Sequence, residues 1–152
     1  EDELVAVVPR RHPFASRSHL EPHDFANEHL LIHSDRLEDT LFYARVLDPA
    51  GVRPRRISPL RLTEAIASMV AAGAGIAVMT PWSIARELEE GRVVAVPVTE
   101  MGLRRSWHAV RMEMEEENPP REDLVDLLQG GPVHLFGGED GIEAGVGFAI
   151  PS

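Results

Sequence analysis

The residues of this chain best placed for chemistry are polar side chains that stand just after short apolar runs. His33 and Ser34 follow Leu30-Leu31-Ile32, with Arg36 close behind. Thr63 opens a helical stripe after a brief extended piece around Ile57, and Thr80-Pro81 follows Gly75-Ile76-Ala77-Val78-Met79. In open α/β sheets, ligands bind beyond the carboxyl ends of the strands, where loops and helix N-termini converge. Hydroxyls, an imidazole, a guanidinium and free helix N–H groups there suit a small polar ligand with a carboxylate, because helix N-termini attract anions. His33, Ser34, Arg36, Thr63, Thr80 and Pro81 are therefore the candidate binding set. Plainer readings stand beside this one: Thr63 as an N-cap, Thr80 as a cap for a helix opened by Pro81, and Arg36 as a surface charge.

Signals for catalysis are poor. His19 and His23 are four residues apart, but Pro22 between them spoils a shared helical face for a metal pair. His29 and His33 flank a strand and point to one face, without a third ligand at a recognisable spacing. The sequence holds neither a Gly-x-Ser-x-Gly elbow nor a Gly-x-Gly-x-x-Gly loop, and Gly73-Ala74-Gly75 precedes a strand instead of following one. With no cysteine, thiolate zinc sites, disulfides and cysteine nucleophiles are excluded. No catalytic residue, metal or cofactor is expected.

These groups need elements to hold them. Leu4-Val5-Ala6-Val7-Val8, closed by Pro9, reads as a buried strand, and Leu30-Leu31-Ile32 as a second. Leu37, Leu41, Ala44 and Leu47 recur at helical spacing until Pro49 and Gly51. Ile66, Met69, Val70 and Gly73 make another helical stripe behind Thr63 and Glu64. Residues 75–79 read as a strand, 82–88 as a helix ended by Gly91, and 92–98 and 105–112 as two more strands. Alternation of this kind predicts an α/β fold with a largely parallel sheet. An acidic stretch, 113–117, precedes a helix at 121–129, and the glycine-rich remainder, 132–152, has no clear period.

The chain has 152 residues, 43% hydrophobic and 26% charged, which suits a globular fold and not a wholly disordered one. Its 25 acidic residues outnumber 15 basic ones, all arginine, for a net charge of -10. That balance argues against this chain gripping nucleic acid or an anionic membrane by itself. Apolar runs fall short of the roughly 20 residues a membrane span requires. The sequence starts without Met and runs almost at once into a strand, so it is read as part of something longer.

Three passages carry a family resemblance. Leu4-Val5-Ala6-Val7-Val8-Pro9 with His12-Pro13-Phe14-Ala15 resembles the strand and "HPLA" passage of LysR-type transcriptional regulators. Asp24-Phe25-Ala26-Asn27-Glu28-His29-Leu30-Leu31-Ile32 is similar to their "DLA-x-E-x-LI" segment, and residues 66–81 to their "VAAG-x-GIALLP" signature. Within that family, Leu47-Asp48-Pro49-Ala50-Gly51-Val52-Arg53-Pro54, Leu62-Thr63-Glu64-Ala65-Ile66 and Pro81-Trp82 look most like the MetR type, the methionine-biosynthesis regulators. Met79-Thr80 departs from the pattern.

The resemblance implies a periplasmic-binding-protein-like (type II), two-lobed effector domain, with lobe two nearly complete and lobe one partial. Residues 1–9 would be a crossing strand from lobe one, 10–101 lobe two, 102–131 a return strand and helix of lobe one, and 132–152 a tail. It also implies a cytoplasmic, non-catalytic sensor of a small amino acid or organic acid, homocysteine if MetR-type, bound between the lobes. The regulator would be a homo-oligomer that reaches DNA only through an N-terminal helix-turn-helix outside this chain, with no membrane partner. A transport solute-binding protein is the alternative on the same architecture.

Overall fold

The computed structural model describes residues 2–107. All the elements below lie in the first of two compact units, Glu1–Arg105. The opening valine-rich run forms β1 (Asp2–Pro9), in which residues 4–8 are all buried. β-Branched side chains on a strand covered from both faces explain why this run is continuous rather than alternating. β2 (His29–Ile32), β3 (Arg56–Pro59), β4 (Ile76–Met79), β5 (Val93–Pro97) and β6 (Leu103–Arg105) complete the sheet. Their order is β3-β2-β4-β1-β5, with β6 pairing the start of β1.

The sheet is mixed, which corrects the expectation of a largely parallel one. β2 runs parallel to β3 and β4, whereas β1 is antiparallel to β4, β5 and β6. Residues 10–28 carry the chain from the end of β1 to the start of β2 at one edge of the sheet, through two short 3-10 turns, Pro13–Ser16 and Pro22–Asn27. No helix crosses the sheet in this connection, so the strand direction must reverse.

Two apolar layers close on the sheet. On one face α1 (Thr63–Ala71) presents Ile66, Ala67 and Val70 to Val5, Val7, Leu31, Ala77 and Met79. On the other, Leu20, Phe25, Leu37, Phe42 and Leu47 cover Ala6, Val8, Leu30 and Val96. Phe25 and Phe42 meet edge-on, their ring centroids 4.8 Å apart. Each of these fully buried Leu, Val or Phe side chains is worth about 1.5–3 kcal/mol of transfer free energy.

α1 ends as its stripe predicts. Gly73 takes φ +79, its N–H bonds to the Val70 carbonyl at 2.8 Å, and the Ala74 N–H reaches the Met69 carbonyl at 2.9 Å. This is a Schellman ending, which a glycine makes without Cβ strain. Two other helical expectations are revised. The stripe 37–47 is not one α-helix: a 3-10 turn, Leu37–Asp39, is followed by a widened π turn, Tyr43–Leu47. Thr40 divides them, its hydroxyl donating to the Leu37 carbonyl at 2.7 Å and accepting from the Tyr43 N–H at 3.1 Å. The segment 82–88 likewise splits into a 3-10 turn, Pro81–Ile84, and α2 (Ala85–Glu89), because buried Ile84 leaves helical geometry at φ -134, ψ 24.

The strand expected at 105–112 starts earlier, as β6, and has ended by Ser106. Residues 108–112, the acidic stretch, the expected helix at 121–129 and the 132–152 tail lie outside the described residues.

Candidate functional site

One edge of the sheet gathers the ends that matter. β2, β3, β4 and β5 finish there, and the reversed β1 begins there, with Val5 opposite both Met79 and Pro97. His33 and Ser34 follow directly on the end of β2, Thr80 and Pro81 on the end of β4, and Thr63 opens α1 after the short loop that leaves β3. His33 is exposed, and Ser34, Thr63 and Pro81 are half-buried. Arg36 lies further into the loop after β2, where its guanidinium faces Glu38 at 3.8 Å.

Two of these residues differ from their structural expectation. Thr63 is not an N-cap: the cap position belongs to Leu62, in extended backbone, and no side chain caps the helix. Thr63 is the first helical residue, so the opening N–H groups of α1 carry no side-chain acceptor from the cap. Thr80 does stand at the cap position of the Pro81–Ile84 turn, yet its hydroxyl makes no capping bond. Its carbonyl accepts instead from the Ser83 N–H at 3.1 Å and the Ser83 hydroxyl at 2.8 Å. Thr80 is 5% exposed and is the one buried polar residue among those described.

Sequence reasoning missed a cluster at the same edge. Asp2 and Arg105 are partners across the β1/β6 ladder, and the guanidinium grips the carboxylate through Nε at 2.7 Å and Nη2 at 2.8 Å. The Trp82 indole N–H donates to the same carboxylate at 3.3 Å. Trp82 was visible in the sequence only as a neighbour of Pro81, and nothing local foretells a bond to the second residue of the chain.

The histidines separate into different roles. His29 lies at the far edge, where its Nδ1 donates to the Ala74 carbonyl at 2.7 Å and its Nε2 meets the Ser58 hydroxyl at 2.9 Å. It therefore ties β2 to β3 and to the loop before β4 and makes no pair with His33. His23 is exposed, and His19 stands 4.0 Å from Glu21. Among the described residues no group of three His, Asp or Glu side chains is placed to hold a metal ion. Among them, too, no helix is long and apolar enough to cross a membrane.

The mixed α/β sheet is that of the type II periplasmic-binding-like class, to which LysR regulatory domains belong. The LysR substrate binding domain model matches residues 1–131, and the chain belongs to that family. The curated relatives in this family are transcriptional regulators. The chain is similar to the transcriptional regulator MetR of Escherichia coli K12, 31% identical over 123 residues, covering 81% of this chain and 38% of that protein. It is also similar to CbbR of Xanthobacter flavus, 29% identical over 127 residues, covering 82% of this chain and 38% of that protein. Among solved structures, the regulatory domain of MetR from Neisseria meningitidis superposes with a TM-score of 0.64 at 30% identity. That match covers 67% of this chain and 47% of that one. The chain thus spans about two-fifths of the length of the curated relatives it matches.

Proposed function

We propose that this chain senses a small amino acid or organic acid at the edge formed by His33, Ser34, Thr63, Thr80 and Pro81, and that the effector is homocysteine. One observation carries the reading: the ends of three parallel strands deliver hydroxyls, an imidazole and an uncapped helix N-terminus to one edge. A carboxylate finds hydrogen-bond donors there, and the likeness to two MetR proteins at 30 and 31% identity favours a sulfur-containing amino acid. Arg36 borders the set as a charge at its rim, facing Glu38.

In the full-length regulator, effector binding shifts the equilibrium between two arrangements of a homo-oligomer and so repositions DNA-binding heads carried elsewhere in the polypeptide. The protein acts in the cytoplasm, where its DNA is, and binds without catalysis. Titration calorimetry of the full-length regulator with homocysteine tests the reading. Saturable binding that weakens in Thr80→Val supports it. Wild-type regulator that ignores homocysteine but binds an aromatic acid removes the homocysteine assignment and leaves the site.

A further inference from the structure

Three large apolar side chains are well exposed among the described residues: Leu62 at 65%, Trp82 at 60% and Met101 at 85%. Two of the three flank the element N-termini at the edge described above, Leu62 just before α1 and Trp82 in the turn after β4. A single exposed apolar residue calls for no explanation. Trp82 differs because it is anchored. Its indole N–H donates to Asp2 at 3.3 Å, and Asp2 is itself held by both donors of Arg105. The ring is therefore tied by its polar corner while most of its surface stays open. Such a ring loses little further rotamer freedom when something packs on it.

The charges nearby narrow what that something is. Arg61 meets Asp35 at 3.1 Å, Arg36 faces Glu38 at 3.8 Å, and Arg105 holds Asp2 at 2.7 Å. Each of these three guanidiniums already has a carboxylate. A dianionic phosphate would find a full positive charge here only by sharing one of these guanidiniums with its carboxylate, whereas a monocarboxylate with an apolar body can be met by hydroxyls and helix N–H groups. Thr80, buried and two residues before Trp82, leaves its hydroxyl uncommitted to the turn and offers the polar contact.

We infer that Trp82 determines the specificity of the effector site, its open indole receiving the apolar body of a small monocarboxylate, whether alkyl, thioether or aromatic. The inference rests on the reading of this edge as the effector site. Its test is titration of the full-length regulator with homocysteine, benzoate and 3-phosphoglycerate, in wild type, Trp82→Gln and Trp82→Phe. The expected result is binding of homocysteine or benzoate in preference to 3-phosphoglycerate, weakened roughly tenfold by Trp82→Gln and largely retained by Trp82→Phe. Circular dichroism melts should coincide, since the side chain is mostly exposed. Wild-type binding that Trp82→Gln leaves unchanged overturns this inference alone, as does preference for 3-phosphoglycerate. Failure of the wild type to bind all three overturns it together with the reading of the site.

Discussion

Asp2 and Arg105 stand 103 residues apart in sequence and directly opposite each other in the β1/β6 ladder, joined by a two-pronged ion pair. Their side chains are only 13% and 27% exposed, so the pair is screened less than a surface bridge. Arg105→Met is expected to destabilise the protein by about 1–3 kcal/mol, since it deprives a half-buried carboxylate of its charged partner. Urea denaturation measures this, and a midpoint unchanged from wild type would contradict it.

Gly75 and Gly73 predict different losses by different causes. A Cβ on Gly75 would lie 2.5 Å from the His29 carbonyl oxygen, whereas Gly73 has open space around it but a φ of +79. Gly75→Ala must move backbone that His29 helps to fix, at a cost of about 1–3 kcal/mol or more. Gly73→Ala meets only left-handed backbone strain, about 1–2 kcal/mol. Thermal melts of the two variants should rank Gly75→Ala as the more damaging.

The start of α1 lacks the cap its sequence suggested. Because Leu62 occupies that position, Thr63→Ala is expected to change stability by only a few tenths of a kcal/mol. Leu62→Asp supplies an acceptor to the free N–H groups and is expected to add about 1 kcal/mol. Stability measured by chemical denaturation checks both, and a loss of about 1 kcal/mol from Thr63→Ala would restore the capping role to Thr63.

Thr99 holds φ +65 between β5 and β6, a conformation that a β-branched residue adopts at a cost. Thr99→Gly relieves the strain and gives up a long hydrogen bond from the hydroxyl to the Gly102 carbonyl, 3.4 Å. A net gain of about 1 kcal/mol is expected, read as a raised melting temperature.

Acid should weaken the surface network around Glu38. Its own backbone N–H, and then the Arg53 guanidinium 3.0 Å away, hold its carboxyl below the ordinary value of 4.5. A lowered folded-state pKa contributes stability that is present above pH 4.5 and fades as pH falls through the folded value. Glu38→Gln should therefore flatten the dependence of melting temperature on pH below 4.5, and salt should shrink the difference. Parallel curves for variant and wild type would refute this.

Much of the molecule was legible in the residues themselves. The apolar runs marked β1, β2, β4 and β5, and the spacing of Ile66, Met69 and Val70 marked α1 with its glycine exit. Strand direction was not legible, because apolar content reports burial and says nothing of which way a strand points. Periodicity also overstated the helices at 37–47 and 82–88, where a threonine hydroxyl and a buried isoleucine redirect the backbone. At the candidate site, the strand-end positions of His33, Ser34, Thr63 and Thr80 followed from local pattern. The Asp2–Arg105–Trp82 cluster did not, since its members meet only once the sheet has closed.

The reversed strand β1 also dictates an order of assembly. Its residues 5–7 pair with β4 at 77–79 on one side and its residues 5–9 with β5 at 93–97 on the other. An interior strand of the sheet is therefore the first of these strands in chain order and the last to gain both neighbours. Until residue 97 has been made, β1 carries an open apolar flank, and the long loop it must close slows folding. During synthesis that flank is the natural place for a chaperone to hold the nascent chain, and for misassembly to begin if none does.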